Sequence, residues 1–153
     1  MNAPRKAAIL LSLAAIMAAP IAAARPARSS TERNRAVITA FAQQFYGARD
    51  VRGAFEKYVA PGYIQHNANI LDGREPAIAA LEPMFKAEGS RFEIKRIVVD
   101  GDMAVIHLHG RAGASGNGGT VADIYRLKYG KIVEHWDILQ PIADKTVNPH
   151  PYF

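Results

Sequence analysis

The sequence predicts an α+β fold in which three helices cover one face of a strongly curved, mainly antiparallel sheet. Two observations carry this prediction. Apolar residues recur at helical spacing through the first half of the chain, and from Arg91 onward the spacing changes to alternation. The second half also contains a tight-turn signal, Tyr129-Gly130, between two alternating runs, which is typical of an antiparallel hairpin.

The N-terminal segment has the composition of a secretory signal peptide. A short basic start is followed by an apolar run from Ala7 to Ala19 and by Ala22-x-Ala24 before Arg25. We therefore assign residues 1–24 to a signal peptide, 25–29 to a leader, 30–142 to one folded domain and 143–153 to a tail. The expected location is periplasmic or secreted, with no membrane contact beyond the signal peptide.

Composition argues against several classes of protein. The chain has no Cys, so disulfides and thiol catalysis are excluded. Loss of the signal peptide removes Arg5 and Lys6 and no acid, which lowers the net charge from +5 to +3. The remaining Lys and Arg are scattered, so we expect no nucleic-acid partner. The glycine-rich segment 110–119 lacks the Lys-Ser/Thr ending of a phosphate loop, so we expect no nucleotide.

Three helices are predicted in the first half. Ser29 and Glu32 form a possible capping box before a helix from about Thr31 to Tyr46. Asp50 can cap a second helix, which we expect to continue until Pro61-Gly62. A third helix is predicted over residues 74–88, with Pro83 kinking or breaking it.

The second half is predicted to form antiparallel strands. One runs from Arg91 to a turn at residues 100–102, and a second returns over residues 103–111. The final hairpin, residues 119–140, turns at Tyr129-Gly130 and should pair Leu127 with Ile132, Tyr125 with Glu134 and Asp123 with Trp136. One face is then the bulkier and more aromatic, and it is predicted to line the core or a pocket: Val121, Asp123, Tyr125, Leu127, Ile132, Glu134, Trp136, Ile138 and Gln140.

Acids and histidines on these elements are the candidate functional groups. Asp123 and Glu134 stand among apolar residues, where desolvation keeps an isolated acid protonated. The alternative is a surface or strand-end ion pair with Arg126 or Lys128. His107 and His109 project from one strand face, where they can hold a metal or, as we prefer, place one His in a pocket and one nearer the rim.

The polar segment YIQHNAN, from Tyr63 to Asn69, follows the predicted helix stop. It is interpreted either as a turn whose side chains bond their own backbone or as one wall of a site. The C-terminal tail can pack over a pocket mouth, pack against a dimer partner, or remain loose.

Several segments together resemble the SnoaL-like polyketide cyclase branch of the NTF2-like superfamily. They are YIQHN, the DG that follows it, GDMAVIH, VADIYRLKYGKIVEHWDILQPI and an Asn-containing end that closes on Phe. The resemblance covers most of the chain from about Ser30. It implies a cone-shaped α+β barrel, often dimeric, without a metal or organic cofactor.

The resemblance also implies acid/base chemistry, because cyclases of this type catalyse an intramolecular aldol condensation. Their essential aspartate falls at Asp137, and a polar residue on the preceding strand falls at Asp123, where those cyclases carry His. Strict alternation places Asp123 and Asp137 on opposite faces. We therefore expect a β-bulge within residues 134–137 that turns Asp137 inward.

The predicted site has catalytic and substrate-binding residues and no metal. Asp137 or Asp123 would remove a proton from carbon beside a ketone, while His66, His107 or Tyr125 donates to the enolate oxygen. The substrate, a small hydrophobic carbonyl compound, would be bound by Tyr63, Asn67, Tyr125, Glu134 and Trp136. The alternatives are a non-catalytic periplasmic binder with the same pocket, and a homodimeric module that buries a sheet face containing Ile124, Val133 and Leu139.

Overall fold

The computed structural model describes residues 29–153. The predicted signal peptide, and the leader except for Ser29, lie outside the described residues. The capping box forms as predicted: the Ser29 hydroxyl accepts from the Glu32 N–H, and the Glu32 carboxylate accepts from the Ser29 N–H. It begins helix α1, Ser30–Ala42, which continues as a π-helical turn, Gln43–Gly47. Helices α2, Val51–Tyr58, and α3, Arg74–Lys86, follow.

Five strands form one sheet in the order β1-β5-β4-β3-β2. The strands are β1, Val59–Gln65; β2, Arg91–Asp100; β3, Met103–Arg111; β4, Gly119–Lys128; and β5, Lys131–Pro141. All neighbours pair antiparallel except β1, which runs parallel to β5. The prediction of an α+β fold with three helices on a curved, mainly antiparallel sheet is confirmed.

The predicted end of the second helix was wrong, and Pro83 does not break the third helix. Helix α2 stops at Tyr58, and the chain continues as strand β1 through Pro61. Proline is tolerated there because β1 lies at the edge of the sheet, where a missing N–H breaks no ladder. Helix α3 runs through Pro83 to Lys86. Both Pro83 and Ala79 are exposed, so water can bond the Ala79 carbonyl that loses its helical partner.

The register of the β4–β5 hairpin shifts by one residue just after the turn. Leu127 pairs with Ile132 as predicted, but Arg126 pairs with Glu134, so Val133 is an extra residue. Tyr125 therefore faces His135, and Asp123 faces Asp137. The bulge expected within residues 134–137 thus lies one residue earlier. It turns Asp137 to the inner face, and it moves Glu134 and Trp136 to the outer face, where they were not predicted.

A second shift, at Lys95 in β2, has a similar effect on the opposite side of the sheet. Phe92 and Ile94, before the shift, share the inner face with Ile97 and Val99, after it. Strict alternation would place these two pairs on opposite faces. Bulges of this kind bend a strand and increase its twist. The sheet curves around the helices and leaves space beneath them.

An aromatic cluster joins the helices to the inner face. The ring centroids of Phe41 and Phe45 are 5.1 Å apart, those of Phe45 and Phe85 are 4.4 Å apart, and those of Phe85 and Phe92 are 3.9 Å apart. Phe41 is fully buried and also contacts Tyr125 edge-on at 5.4 Å. These contacts connect α1, the π-helical turn, α3 and the sheet in one core.

The last residue of the C-terminal tail packs on the outer face of the sheet. The ring of Phe153 lies 5.5 Å from that of His107 and 5.6 Å from that of His109. Within residues 29–153, no helix is long and apolar enough to cross a membrane.

We expect Phe41→Ala to lower the free energy of unfolding by about 3–5 kcal/mol, because it removes a fully buried ring from the centre of the aromatic cluster. Urea denaturation followed by circular dichroism measures this change. Val147→Ala, at a fully exposed position, should change the free energy by less than about 0.5 kcal/mol. Equal effects of the two substitutions would contradict the assignment of Phe41 to the core.

Candidate functional site

A cavity of about 230 Å³ lies between the helices and the inner face of the sheet. Its walls are mostly hydrocarbon, and the apolar side chains that line it come from the π-helical turn, α2, α3 and four strands: Phe45, Phe55, Leu81, Met84, Phe85, Phe92, Leu108, Val121 and Leu139, with Ile70 from the loop after β1. Leu139 was predicted to lie on the other face of the hairpin, which the homodimer alternative would bury. It lines this cavity instead, because the bulge at Val133 reverses the faces of β5.

Two carboxylates face the cavity from neighbouring strands. Asp123 on β4 and Asp137 on β5 are directly opposite in the ladder. Asp123 is buried; it accepts a hydrogen bond from the Tyr46 hydroxyl at 2.5 Å and lies 3.1 Å from His135 Nε2. Asp137 is partly buried and accepts from Asn67 Nδ2 at 2.5 Å. The two acids therefore have different partners within one site.

Three phenols surround these acids. The hydroxyls of Tyr46 and Tyr125 are 2.6 Å apart, and because Tyr46 donates to Asp123, Tyr125 donates to Tyr46. Burial, with the nearby Asp123 charge, raises the pKa of both phenols well above its usual range. Burial also raises the pKa of Tyr63, and the charges of Asp123 and Asp137 add to this effect. All three phenols stay protonated near neutral pH and can act as hydrogen-bond donors.

Gln65 and His135 complete the polar end of the cavity. His135 is buried, and its Nδ1 lies 2.9 Å from Gln65 Oε1. Gln65 Oε1 also accepts from the Asn67 backbone N–H at 2.9 Å, and Gln65 Nε2 donates to the Tyr63 hydroxyl at 3.1 Å. The strand β1 thus supplies Tyr63 and Gln65 to the same side of the site, because residues two apart on a strand share a face.

The structure brings five of the nine predicted site residues to the cavity wall: Tyr63, Asn67, Asp123, Tyr125 and Asp137. It also brings three polar residues that the sequence analysis did not select: Tyr46, Gln65 and His135. A signal for His135 existed. If the bulge that turns Asp137 inward lies before His135, then His135 points inward as well, because residues two apart on a regular strand share a face.

The other four predicted residues, His66, His107, Glu134 and Trp136, do not line this cavity. His66 stacks on Trp136 on the outer face, with ring centroids 4.7 Å apart, and its Nε2 lies 2.9 Å from Glu134 Oε1. Arg126 Nε donates to Glu134 at 2.9 Å. The hydrogen bonds from His66 and Arg126 lower the pKa of Glu134, so this acid is an anion in a surface ion pair, which was the alternative interpretation.

His107 also lies on the outer face, with its Nε2 2.7 Å from the Thr120 hydroxyl. Burial, with the charges of Arg96 and Lys95, lowers its pKa. His109 Nε2 instead contacts the Asn117 carbonyl at 2.7 Å. The two histidines therefore have separate partners on the outer face, and the prediction that one of them stands in the pocket is wrong.

Among residues 29–153, one group of side chains has potential metal-ligand atoms that converge. It consists of Asp123, His135 and Asp137, whose ligand atoms all lie within 4.8 Å of one another. Both ring nitrogens of His135 already make hydrogen bonds, to Gln65 and to Asp123. A cation would have to displace Asp123 from Nε2 before His135 could bind it. The arrangement fits a shared proton better than it fits a metal ion.

Solved structures share this fold at low sequence identity. An NTF2-like protein of unknown function from Mesorhizobium loti is 20% identical, with a TM-score of 0.64 over 74% of this chain and 96% of its own. A protein from Jannaschia sp. CCS1 assigned as a SnoaL-like polyketide cyclase is 18% identical, with a TM-score of 0.58 over 76% and 91% of the two chains. An LEH-like epoxide hydrolase from M. tuberculosis is 16% identical, with a TM-score of 0.59 over 73% and 86%.

At these identities the structural similarity shows the fold and leaves the reaction open, since one scaffold can carry several chemistries. No curated protein matches the chain. The family model described as the SnoaL-like domain matches residues 35–135, which include β1, β4 and Asp123 and end two residues before Asp137. This match covers well over half of the chain, and the protein therefore belongs to the SnoaL-like domain family within the NTF2-like fold.

Proposed function

We propose that this protein is a cofactor-independent acid/base enzyme that acts on a small apolar carbonyl compound, by aldol condensation and cyclisation or by isomerisation. One observation carries the proposal. Two opposed carboxylates with different partners, Asp123 and Asp137, face one apolar cavity together with protonated phenols. A dry cavity strengthens every electrostatic contact within it and suits proton transfer to and from carbon.

Asp137 is the better candidate for the base. Its Oδ2 accepts from Asn67, which leaves Oδ1 for a substrate C–H, whereas both oxygens of Asp123 already have protein partners. Asp137 would take the proton from the carbon beside the carbonyl, and the C–H electron pair would pass into the enolate. In a cyclase this carbon then attacks a second carbonyl of the same substrate, and the alkoxide that forms takes the proton back from Asp137. In an isomerase Asp137 returns the proton to a different carbon.

Tyr63 is the better candidate for the donor to the enolate oxygen. Its hydroxyl accepts a hydrogen bond from Gln65 Nε2, so its own proton remains available to a ligand. The Tyr125 hydroxyl instead donates to Tyr46, and the Tyr46 hydroxyl donates to Asp123. His66 and His107, the donors expected from the sequence, lie on the outer face and have no part in this step.

The size of the cavity limits the substrate. Pockets that hold drug-sized ligands are roughly 300–1,000 Å³, and this one is about 230 Å³. The substrate is therefore expected to be smaller than a typical drug-sized compound, with one end apolar enough for the phenylalanine walls. A non-catalytic binder of such a compound would use the same walls and is separated from the enzyme by the exchange experiment below.

We also propose that the protein is exported and acts in the periplasm or outside the cell. The support is the composition of residues 1–24. Mass spectrometry of the protein recovered from bacteria that express the full chain should find Arg25 at the N-terminus. Leu11→Arg, which interrupts the apolar run, should leave the chain uncleaved. A full-length wild-type protein in the cytoplasm would count against export.

A homodimer formed through the outer face of the sheet is part of the proposal. Ile138 on β5 and Ile64 on β1 are 64% and 45% exposed on the outer face, beside Trp136. Exposed apolar residues that adjoin one another often mark an association surface. Sedimentation equilibrium of the wild type and of Ile138→Asp tests the dimer, and a wild-type monomer at all concentrations would exclude it.

We expect Asp137→Asn to slow hydrogen–deuterium exchange at carbon beside the carbonyl of small cyclic ketones by about 10²–10⁴-fold, because the amide cannot accept the proton. Proton NMR of a ketone panel in deuterated buffer measures the exchange. Glu134→Gln is the matched control, since it makes the same change on the same strand outside the cavity, and it should retain wild-type exchange. A ketone that binds without exchange in the wild type would instead favour the binder.

The protonated phenols generate a prediction for alkaline pH. The folded-state pKa values of Tyr46, Tyr63 and Tyr125 are raised, so the unfolded chain releases these protons first and stability falls as pH rises above about 10. Absorbance at 295 nm should show three phenolates that appear only as circular dichroism reports unfolding. Tyr46→Phe should reduce that delayed step to two, and a phenolate spectrum complete before unfolding would contradict the site.

A further inference from the structure

We propose that Gln65 is a positioning residue whose amide fixes the ring tautomer of His135 and thereby keeps one proton between His135 and Asp123. The inference deepens the proposed function and rests on it. It states that Asp123 shares a proton with His135, whereas Asp137 is free to accept one. It stands on hydrogen bonds among residues of β1, the loop after it, β4 and β5.

The orientation of the Gln65 amide follows from a backbone group. The Asn67 N–H can only donate, and it lies 2.9 Å from Gln65 Oε1, so this end of the amide must be the oxygen. The other end, Nε2, then donates to the Tyr63 hydroxyl. The amide cannot turn over without placing its NH₂ group against the Asn67 N–H.

The tautomer of His135 follows from the amide. Nδ1 of His135 lies 2.9 Å from Gln65 Oε1, which carries no hydrogen, so Nδ1 must carry one. If the ring were neutral and Asp123 ionised, the lone pair of Nε2 would face a carboxylate oxygen at 3.1 Å. A proton therefore lies between them, either on Nε2 as an imidazolium or on Asp123 as a neutral acid. In both forms the pair is electrically neutral.

The loop after β1 holds Asp137, the acid opposite Asp123, as a hydrogen-bond acceptor. The Asn69 N–H donates to Asn67 Oδ1 at 2.9 Å, so the Asn67 amide also has a fixed orientation and its Nδ2 must donate to Asp137. Asp137 is thus held as an acceptor. Because the His135–Asp123 pair is neutral as a whole, Asp137 can be ionised without facing an uncompensated negative charge across the ladder.

One short segment therefore decides which of the two carboxyl groups, Asp123 or Asp137, is free to accept a proton. The residues of the segment that do this are Gln65, Asn67 and Asn69. The polar segment after β1 was interpreted as a turn or as a site wall. It is both, since the backbone donors of the turn orient the side chains of the site.

The test is nitrogen-15 NMR of the histidine rings, in which protonated and unprotonated ring nitrogens have different chemical shifts. The wild-type spectrum should show His135 with Nδ1 protonated, and His135→Gln identifies its signals among those of the other histidines. Gln65→Met keeps the side-chain length without the acceptor, so Nδ1 should lose its proton while Nε2–H donates to Asp123. Gln65→Glu restores an acceptor and should restore the protonated Nδ1.

A wild-type His135 with an unprotonated Nδ1 would overturn the inference directly and needs no variant to fold. An identical ring state in the wild type and in a folded Gln65→Met protein would also overturn it. Ketone exchange measured on the same samples keeps the two ideas separate. Gln65→Met is expected to lose exchange. Gln65→Glu is expected to restore the ring state of His135 without restoring exchange, because its second carboxylate oxygen would accept the Tyr63 hydroxyl proton that the proposed enolate donor needs. The expected ring states without exchange in any sample would instead remove the proposed function.

Discussion

The extra residue at Val133 is the constraint on which the rest of the site depends. Side chains alternate along a strand, so a shift of one position exchanges the two faces for every residue beyond it. Here the exchange brings His135, Asp137 and Leu139 into the cone and sends Glu134 and Trp136 out of it. Without the bulge the cone would hold Asp123 with Trp136, and the opposed carboxylates would not exist.

Burial of the polar groups at the end of the cavity costs desolvation free energy, which their hydrogen bonds must offset. Each has a defined partner: Asp123 binds Tyr46 and His135, Gln65 binds His135, Tyr63 and Asn67, and Asp137 binds Asn67. The donors come partly from a short loop after an edge strand. A network of this kind is rigid because each buried member would lose a partner if its neighbour turned.

The hairpin produces two distinct surfaces from one stretch of sequence. Its inner face places Asp123 and Asp137 in a small apolar space, and its outer face carries the stacked His66 and Trp136 with the Glu134–Arg126 ion pair. The outer-face ion pair is partly solvated and screened, so it contributes little to stability. Membership of the SnoaL-like family does not by itself define a reaction, because one scaffold can carry several functions.

The sequence by itself determined the elements whose signal is local. The capping box of α1, the Tyr129-Gly130 turn with positive φ at both residues, and the alternation of β3 could all be identified because neighbours within a few residues set them. Only the tertiary structure decided that residues 59–65 form a parallel edge strand and that Val133 is unpaired. Both depend on which distant strand lies alongside, and no short sequence window contains that partner. Asp123 could therefore be predicted from its own strand, and the inward direction of Asp137 was expected from the family resemblance. The position of the bulge, and with it the place of His135 and Gln65 in the site, required the assembled sheet.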